Sequence, residues 1–87
     1  MKNLYLMTKM PKADSISLLQ RLAGKDDAIV CVQDGVYWLR QDLSGWPCQF
    51  YGCEADLAAR SIRTPYAAIS YPALIDLIFR AARVISI

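Results

Sequence analysis

Ala28-Ile29-Val30-Cys31-Val32 runs straight into Gln33-Asp34-Gly35, and the reading of this stretch decides the fold. The five apolar residues show no alternation of apolar and polar positions. A strand that is apolar on both faces belongs in the middle of a parallel sheet, covered by helices on either side. Gln33-Asp34-Gly35 ends the strand. An Asp-Gly pair can form a hairpin turn. Alternatively, Asp34 can cap a helix, its carboxylate accepting the free N–H groups of the first turn. Val36-Tyr37-Trp38-Leu39-Arg40 lacks strand alternation, so a short helix is expected there.

Upstream, Asn3 to Thr8 is a short apolar run suited to a buried strand, broken by Lys9 to Lys12 with Pro11. Asp14 and Ser15 are good helix N-cap types. After them Ile16, Leu18, Leu19 and Leu22 form a helical stripe, and Gly24 suits a helix C-cap. Downstream, Gln41 to Pro47 reads as a loop. Cys48 to Tyr51 reads as a strand turned by Gly52, and Glu54 to Arg60 as a helix with acids early and a base late, as the helix dipole favours. Tyr66 to Ile69 reads as a further strand. Pro72 fits a first helical turn. Leu74, Leu77, Ile78 and Ala81 then share a face, with Ile75 and Phe79 beside it and Asp76 four residues before Arg80. Val84 to Ile87 offers a last strand. The order β-α-β-α-β-α-β-α, with a final β, implies one α/β domain over residues 1–87. Its architecture is a small three-layer sandwich: a mostly parallel sheet of four or five strands with right-handed crossovers and helices on both faces.

Composition narrows the chemistry. Apolar residues make up 55% of the 87 residues, against about 45–50% in an average domain. The excess supports a core and leaves apolar surface for partners or further copies. Ten basic and eight acidic residues give a net charge of +2. The basic residues are scattered rather than striped, so direct nucleic-acid binding is not expected. Without a histidine there is no His general base, no Cys-His or Ser-His nucleophile pair and no His-liganded metal. The cysteines, Cys31, Cys48 and Cys53, are odd in number and lack C-x-x-C spacing, so no metal site or cofactor is expected. Only Leu4 to Met7 is apolar before Thr8 and Lys9, too short for a secretory leader, and no transmembrane stretch occurs. Reduced thiols in the cytoplasm follow as the expectation.

Three segments, in register and at matching length, carry a family resemblance. Asp27 to Leu39 resembles the apolar strand followed by Gln-Asp-Gly-Val-Tyr of the TusB/DsrH family. Phe50 to Arg60 is similar to that family's strand and acidic, Ala-Arg-containing helix. Ile69 to Leu77 is similar to its helix start. The resemblance covers nearly the whole chain and implies the DsrE/DsrF/DsrH-like fold. It also implies a place beside TusC/DsrF-like and TusD/DsrE-like subunits in an oligomer that relays persulfide sulfur. The acceptor would be TusE/DsrC-like, and the sulfur would go on to 2-thiolation of the tRNA wobble uridine or into sulfur oxidation. In such assemblies the principal sulfur-carrying cysteine belongs to the TusD/DsrE subunit. Some DsrH chains carry a cysteine in the first helix. Asp14 to Leu22 has none here, so no catalytic residue is carried over.

Cys53 is the candidate for persulfide chemistry on residue grounds. It follows a strand and Gly52 and precedes a helix, a setting that can raise the thiolate fraction, although Glu54 and Asp56 oppose this. The structural alternative is a small buried side chain. Cys31 reads as core, and Cys48, at the start of a strand beside Trp46 and Pro47, as a candidate for exposure with nothing to activate it. Gln33, Asp34 and Gly35 sit at the carboxyl end of a central parallel strand, where open α/β sheets place ligands and contacts. Adjacent Tyr37 and Trp38 cannot both face the core, which makes one of them a candidate for an interface. Two functions compete: a structural subunit of a TusBCD/DsrEFH-type complex, not catalytic alone, and a self-assembling DsrE-like protein that carries sulfur on Cys53 or binds a small ligand. An unrelated α/β interaction module is a third.

Overall fold

The Ala28–Cys31 run is the central strand, β2, of a five-stranded sheet. The computed structural model describes residues 1–87. Strand β1 (Asn3–Met7) leads to helix α1 (Ala13–Leu22) and then to β2. A 3-10 helix (Gln33–Arg40) links β2 to β3 (Gln49–Cys53), helix α2 (Glu54–Ala59) links β3 to β4 (Ala67–Ile69), and helix α3 (Tyr71–Arg80) links β4 to β5 (Arg83–Ser86). The order across the sheet is β4-β3-β2-β1-β5, and every pairing is parallel. The chain steps one way from β1 to β4 and then crosses back to the far edge. With right-handed crossovers, α1, the 3-10 helix and α2 lie on one face and α3 alone on the other.

The two cores reflect that division. Tyr5, Met7, Ile29, Cys31 and Phe50 face α1 through Leu19, the 3-10 helix through Val36, Trp38 and Leu39, and α2 through Leu57, in a cluster of 13 buried residues. The opposite face holds a smaller cluster of four buried residues, Leu4, Ala28, Val30 and Leu74. Trp38 anchors the larger core. It packs edge-to-face with Trp46 (5.4 Å between ring centroids) and Phe50 (5.3 Å), which pins the Gln41–Cys48 loop onto the sheet.

Several local expectations give way to longer-range contacts. Helix α1 begins at Ala13 with Lys12 at its N-cap and no side-chain cap, so Asp14 and Ser15 lie inside the first turn. Gly24 is no left-handed cap; the helix closes at extended Ala23, and the Gly24 N–H donates to Asp27 Oδ2 (2.9 Å). Asp34 does not cap the 3-10 helix. The Gln33 N–H is held instead by Asp56 Oδ2 at 2.7 Å, from α2. Gly52 continues β3 rather than turning it, because Leu39 and Leu57 occupy the space a Cβ would need: a methyl group there would lie 2.7 Å from Leu39 Cδ1. Cys48 precedes the strand and is buried, contrary to its expected exposure.

Candidate functional site

The connections from β3 and β4 leave the sheet on opposite faces, and the carboxyl ends of two such strands are where open α/β sheets place their sites. Cys53 is the last residue of β3, in register with Ile69 of β4. Along β3 side chains alternate: Phe50 belongs to the larger core, Tyr51 packs on the smaller one, and Cys53 shares the side of Tyr51 and Ile69, towards α3. Helix α3 starts there. The Ser70 hydroxyl caps it by accepting the Ala73 N–H at 3.3 Å, and Tyr71 is its first residue.

Tyr71 lies over the Cys53 thiol. The phenol's pKa is raised, first through hydrogen bonding with the Cys53 side chain and then through the negative charge of Cys53 and Asp56. Cys53 itself has no exposed surface, while Tyr71 is 53% exposed. Cys53 is therefore the buried member of the pair and Tyr71 the exposed one.

A polar cluster lies on the other side of this end of the sheet. Asp56, in α2, accepts the Gln33 N–H and pairs with Arg60 Nη1 at 3.5 Å. The Arg60 Nε donates to Asp34 Oδ1 at 3.1 Å. The guanidinium pKa is raised, chiefly by that bond to Asp34. Tyr37 lies under two guanidinium groups, Arg40 at 5.0 Å and Arg60 at 6.0 Å from its ring centroid. Gln33 adopts φ 51°, a left-handed conformation that the Asp56 carboxylate helps to hold. Gly35 has no room for a side chain, since a Cβ would lie 2.0 Å from the Met7 carbonyl oxygen of β1.

The structure thus gathers Gln33, Asp34, Tyr37 and Cys53 around one end of the sheet. Trp38 goes into the core, and Gly35 goes against β1. The sequence reading missed Asp56, Arg60 and Tyr71. The spacing of Asp56 and Arg60 on one helix was a visible signal for their pairing, but nothing local announced that both would reach back to Gln33 and Asp34. The assembly sequesters a thiol and neutralises nearby charge. Cys31 is wholly buried and its thiol is pushed up to about 12 by burial; burial raises the Cys48 thiol as well. The largest surface groove, about 620 Å³ and bordered by Lys2, Lys25, Asp26 and Gln49, lies at the opposite, amino end of the strands. No helix is long and apolar enough to cross a membrane.

Comparison with known proteins follows this geometry. A family model described as "DsrH like protein" matches residues 9–84. The solution NMR structure of protein Tm0979 from Thermotoga maritima is similar, with 29% sequence identity and a TM-score of 0.69 over 88% of this chain and 91% of that one. A search of curated proteins gives no match.

Proposed function

Because the chain belongs to the DsrH-like protein family, we propose that it is a structural subunit of a sulfur-relay complex of the TusBCD/DsrEFH type. In this reading it stands in the cytoplasm beside TusC/DsrF-like and TusD/DsrE-like subunits. It positions a sister chain's cysteine and shields the persulfide as sulfur moves to a TusE/DsrC-like acceptor and on towards tRNA wobble uridine 2-thiolation.

The observation that supports this role is the burial of every thiol: Cys31 and Cys53 have no exposed surface and Cys48 is 7% exposed. A thiol takes up sulfane sulfur as a thiolate attacking the terminal sulfur of a donor persulfide, with the donor leaving as its own thiolate. That attack needs access and ionisation. Burial denies both to Cys31 and Cys48, whose thiols it also pushes upward.

One observation favours a second reading. Cys53, though buried, interacts with a side chain that is itself half exposed, Tyr71. If Tyr71 swings aside, Cys53 becomes a carrier at this end of the sheet. The two readings separate in one experiment. The purified protein is incubated with polysulfide or a sulfur-loaded cysteine desulfurase, next to a TusD-like control, and each cysteine is read by mass spectrometry. The structural role predicts no added sulfur on any cysteine while the control is loaded. An adduct on Cys53, abolished by Cys53→Ser and increased by Tyr71→Ala, would replace it with the carrier role.

A further inference from the structure

Charge is unevenly placed along the chain. Residues 9–25 hold four basic side chains, Lys9, Lys12, Arg21 and Lys25, against one acidic, Asp14, a net charge of +3. The remaining residues hold six basic and seven acidic side chains, net −1, so the +2 of the whole chain comes from this one segment. The fold gathers it around α1. Lys9 and Lys12 precede the helix, Arg21 lies in its last turn and Lys25 follows it, and all four are exposed. None of them forms an ion pair, whereas Arg60 and Arg80 do. The same segment exposes apolar side chains. Ile16 and Leu19 meet the larger core, but Leu18 and Leu22, four residues apart, are 48% and 54% exposed, and Met10 is 40% exposed. A helix that has already met its core needs no leucines on its outer side.

We propose that the outer side of α1, with the turns at its two ends, is a docking surface for an anionic membrane, on which the domain rests peripherally. Complementary charge carries the choice of partner. Unpaired cations beside protruding aliphatic side chains suit a bilayer with acidic headgroups: the cations meet the phosphates, and the apolar side chains enter the boundary with the acyl chains. Helix α1 is about 15 Å long, and the long stems of lysine and arginine bring the charges at both its ends to one flat surface. A protein partner fits less well. Interface cores are enriched in aromatic residues and depleted of lysine, whereas residues 9–25 hold three lysines and no aromatic ring. RNA fits less well too, because its bases are held on aromatic platforms and exposed leucines gain nothing from a phosphate backbone. The opposite net charge of the rest of the chain turns this side, rather than another, towards an anionic surface.

This inference does not rest on the sulfur-relay reading. It is tested by sedimenting the full chain with vesicles of mixed phosphatidylglycerol and phosphatidylcholine, next to vesicles of phosphatidylcholine alone. Binding is expected to the first and not to the second, and it should weaken as salt is raised. Lys12→Ala is expected to weaken it about fivefold, the effect of removing one surface cation. Leu18→Ser is expected to weaken it severalfold at every salt concentration, which a purely electrostatic contact would not show. Both side chains are exposed, so the circular dichroism spectrum of each variant should match the wild type. Phe79→Ser, equally exposed but on α3, is expected to bind as the wild type does. Failure to sediment with the anionic vesicles at low salt overturns the proposal, as does equal binding to neutral ones. So does binding that Phe79→Ser abolishes and Leu18→Ser leaves intact, or a chain that ignores vesicles but is held through Lys12 by polyglutamate or RNA.

Discussion

Cys31 shows at the scale of one residue how burial becomes pH dependence. Its thiol ionises near 9 when unperturbed, and burial alone pushes it to about 12. The raised value means that the fold favours the neutral thiol. The stabilisation is complete below pH 9. Between 9 and 12 the unfolded chain releases a proton that the folded chain keeps, and stability falls by about 1.4 kcal/mol per pH unit. Burial also raises Cys48 and Tyr5, so they add to the same alkaline loss. Urea titrations at pH 8 and pH 10 should therefore show a clear drop in unfolding free energy. Cys31→Val, which keeps an apolar side chain of similar size, should remove the largest share of that drop. An equal drop in the variant would mean that Cys31 is not its source. The Gln33-Asp34-Gly35 turn teaches a different lesson at this scale. The sequence marked it as special, and each residue proves to be so, but for reasons of contact: Gln33 is left-handed, Asp34 holds Arg60, and Gly35 presses on the Met7 carbonyl.

At the scale of elements, the joints are made by carboxylates far away in sequence. Asp27 is buried at the start of β2 and accepts two backbone N–H groups, that of Asn3 in β1 at 2.9 Å and that of Gly24 at 2.9 Å. One side chain thus ties the end of the α1 connection to the mouth of the β1–β2 pair. Asp27→Ala would leave both donors without their partner at a largely dry site, a loss of about 2–4 kcal/mol. Asp27→Asn retains one acceptor oxygen and should recover about half of it. Chemical denaturation of the two variants checks this, and equal losses would refute the two-bond account. Asp27 also marks the limit of what was legible. Strand β2, the stripe on α3 and the alternation of elements follow from local periodicity and were readable; of the stripe expected on α1 only Ile16 and Leu19 turn to the core, while Leu18 and Leu22 stay exposed. The N-cap expected of Asp34 failed because the helix already starts at Gln33, with Val32 at the N-cap, and the Asp34 carboxylate turns to Arg60, 26 residues away. Gly52 looked like a turn because its true reason, the close approach of Leu39 and Leu57, is a tertiary contact. Tyr71 over Cys53 was invisible for the same reason: the two meet only after β4 has been laid beside β3.

The whole molecule is lopsided, and its dynamics should be lopsided too. One face of the sheet is sealed by three helical segments over 13 buried residues, whereas the other has a single helix over four. Stability is not shared evenly in such a fold; the lightly packed layer opens at a lower free energy than the global transition. Helix α3 is also the only link between β4 and β5, which are the two edges of the sheet. Its release frees β5, and with it the cover over Cys53. Leu74 is the one α3 residue fully inside the smaller core, so Leu74→Ala should cost about 2–4 kcal/mol and do so unevenly. Hydrogen exchange should show α3 and β5 amides exchanging before those of β1, β2 and β3. Leu74→Ala should speed exchange in α3 and β5 several-fold more than in β2. Thiol-specific labelling in the same variant should reach Cys53 before Cys31, because Cys53 is shielded by the α3 layer and Cys31 by the larger core. Uniform acceleration across all five strands would instead mean that the two layers unfold as one unit, and that Cys53 is guarded by the whole fold rather than by α3.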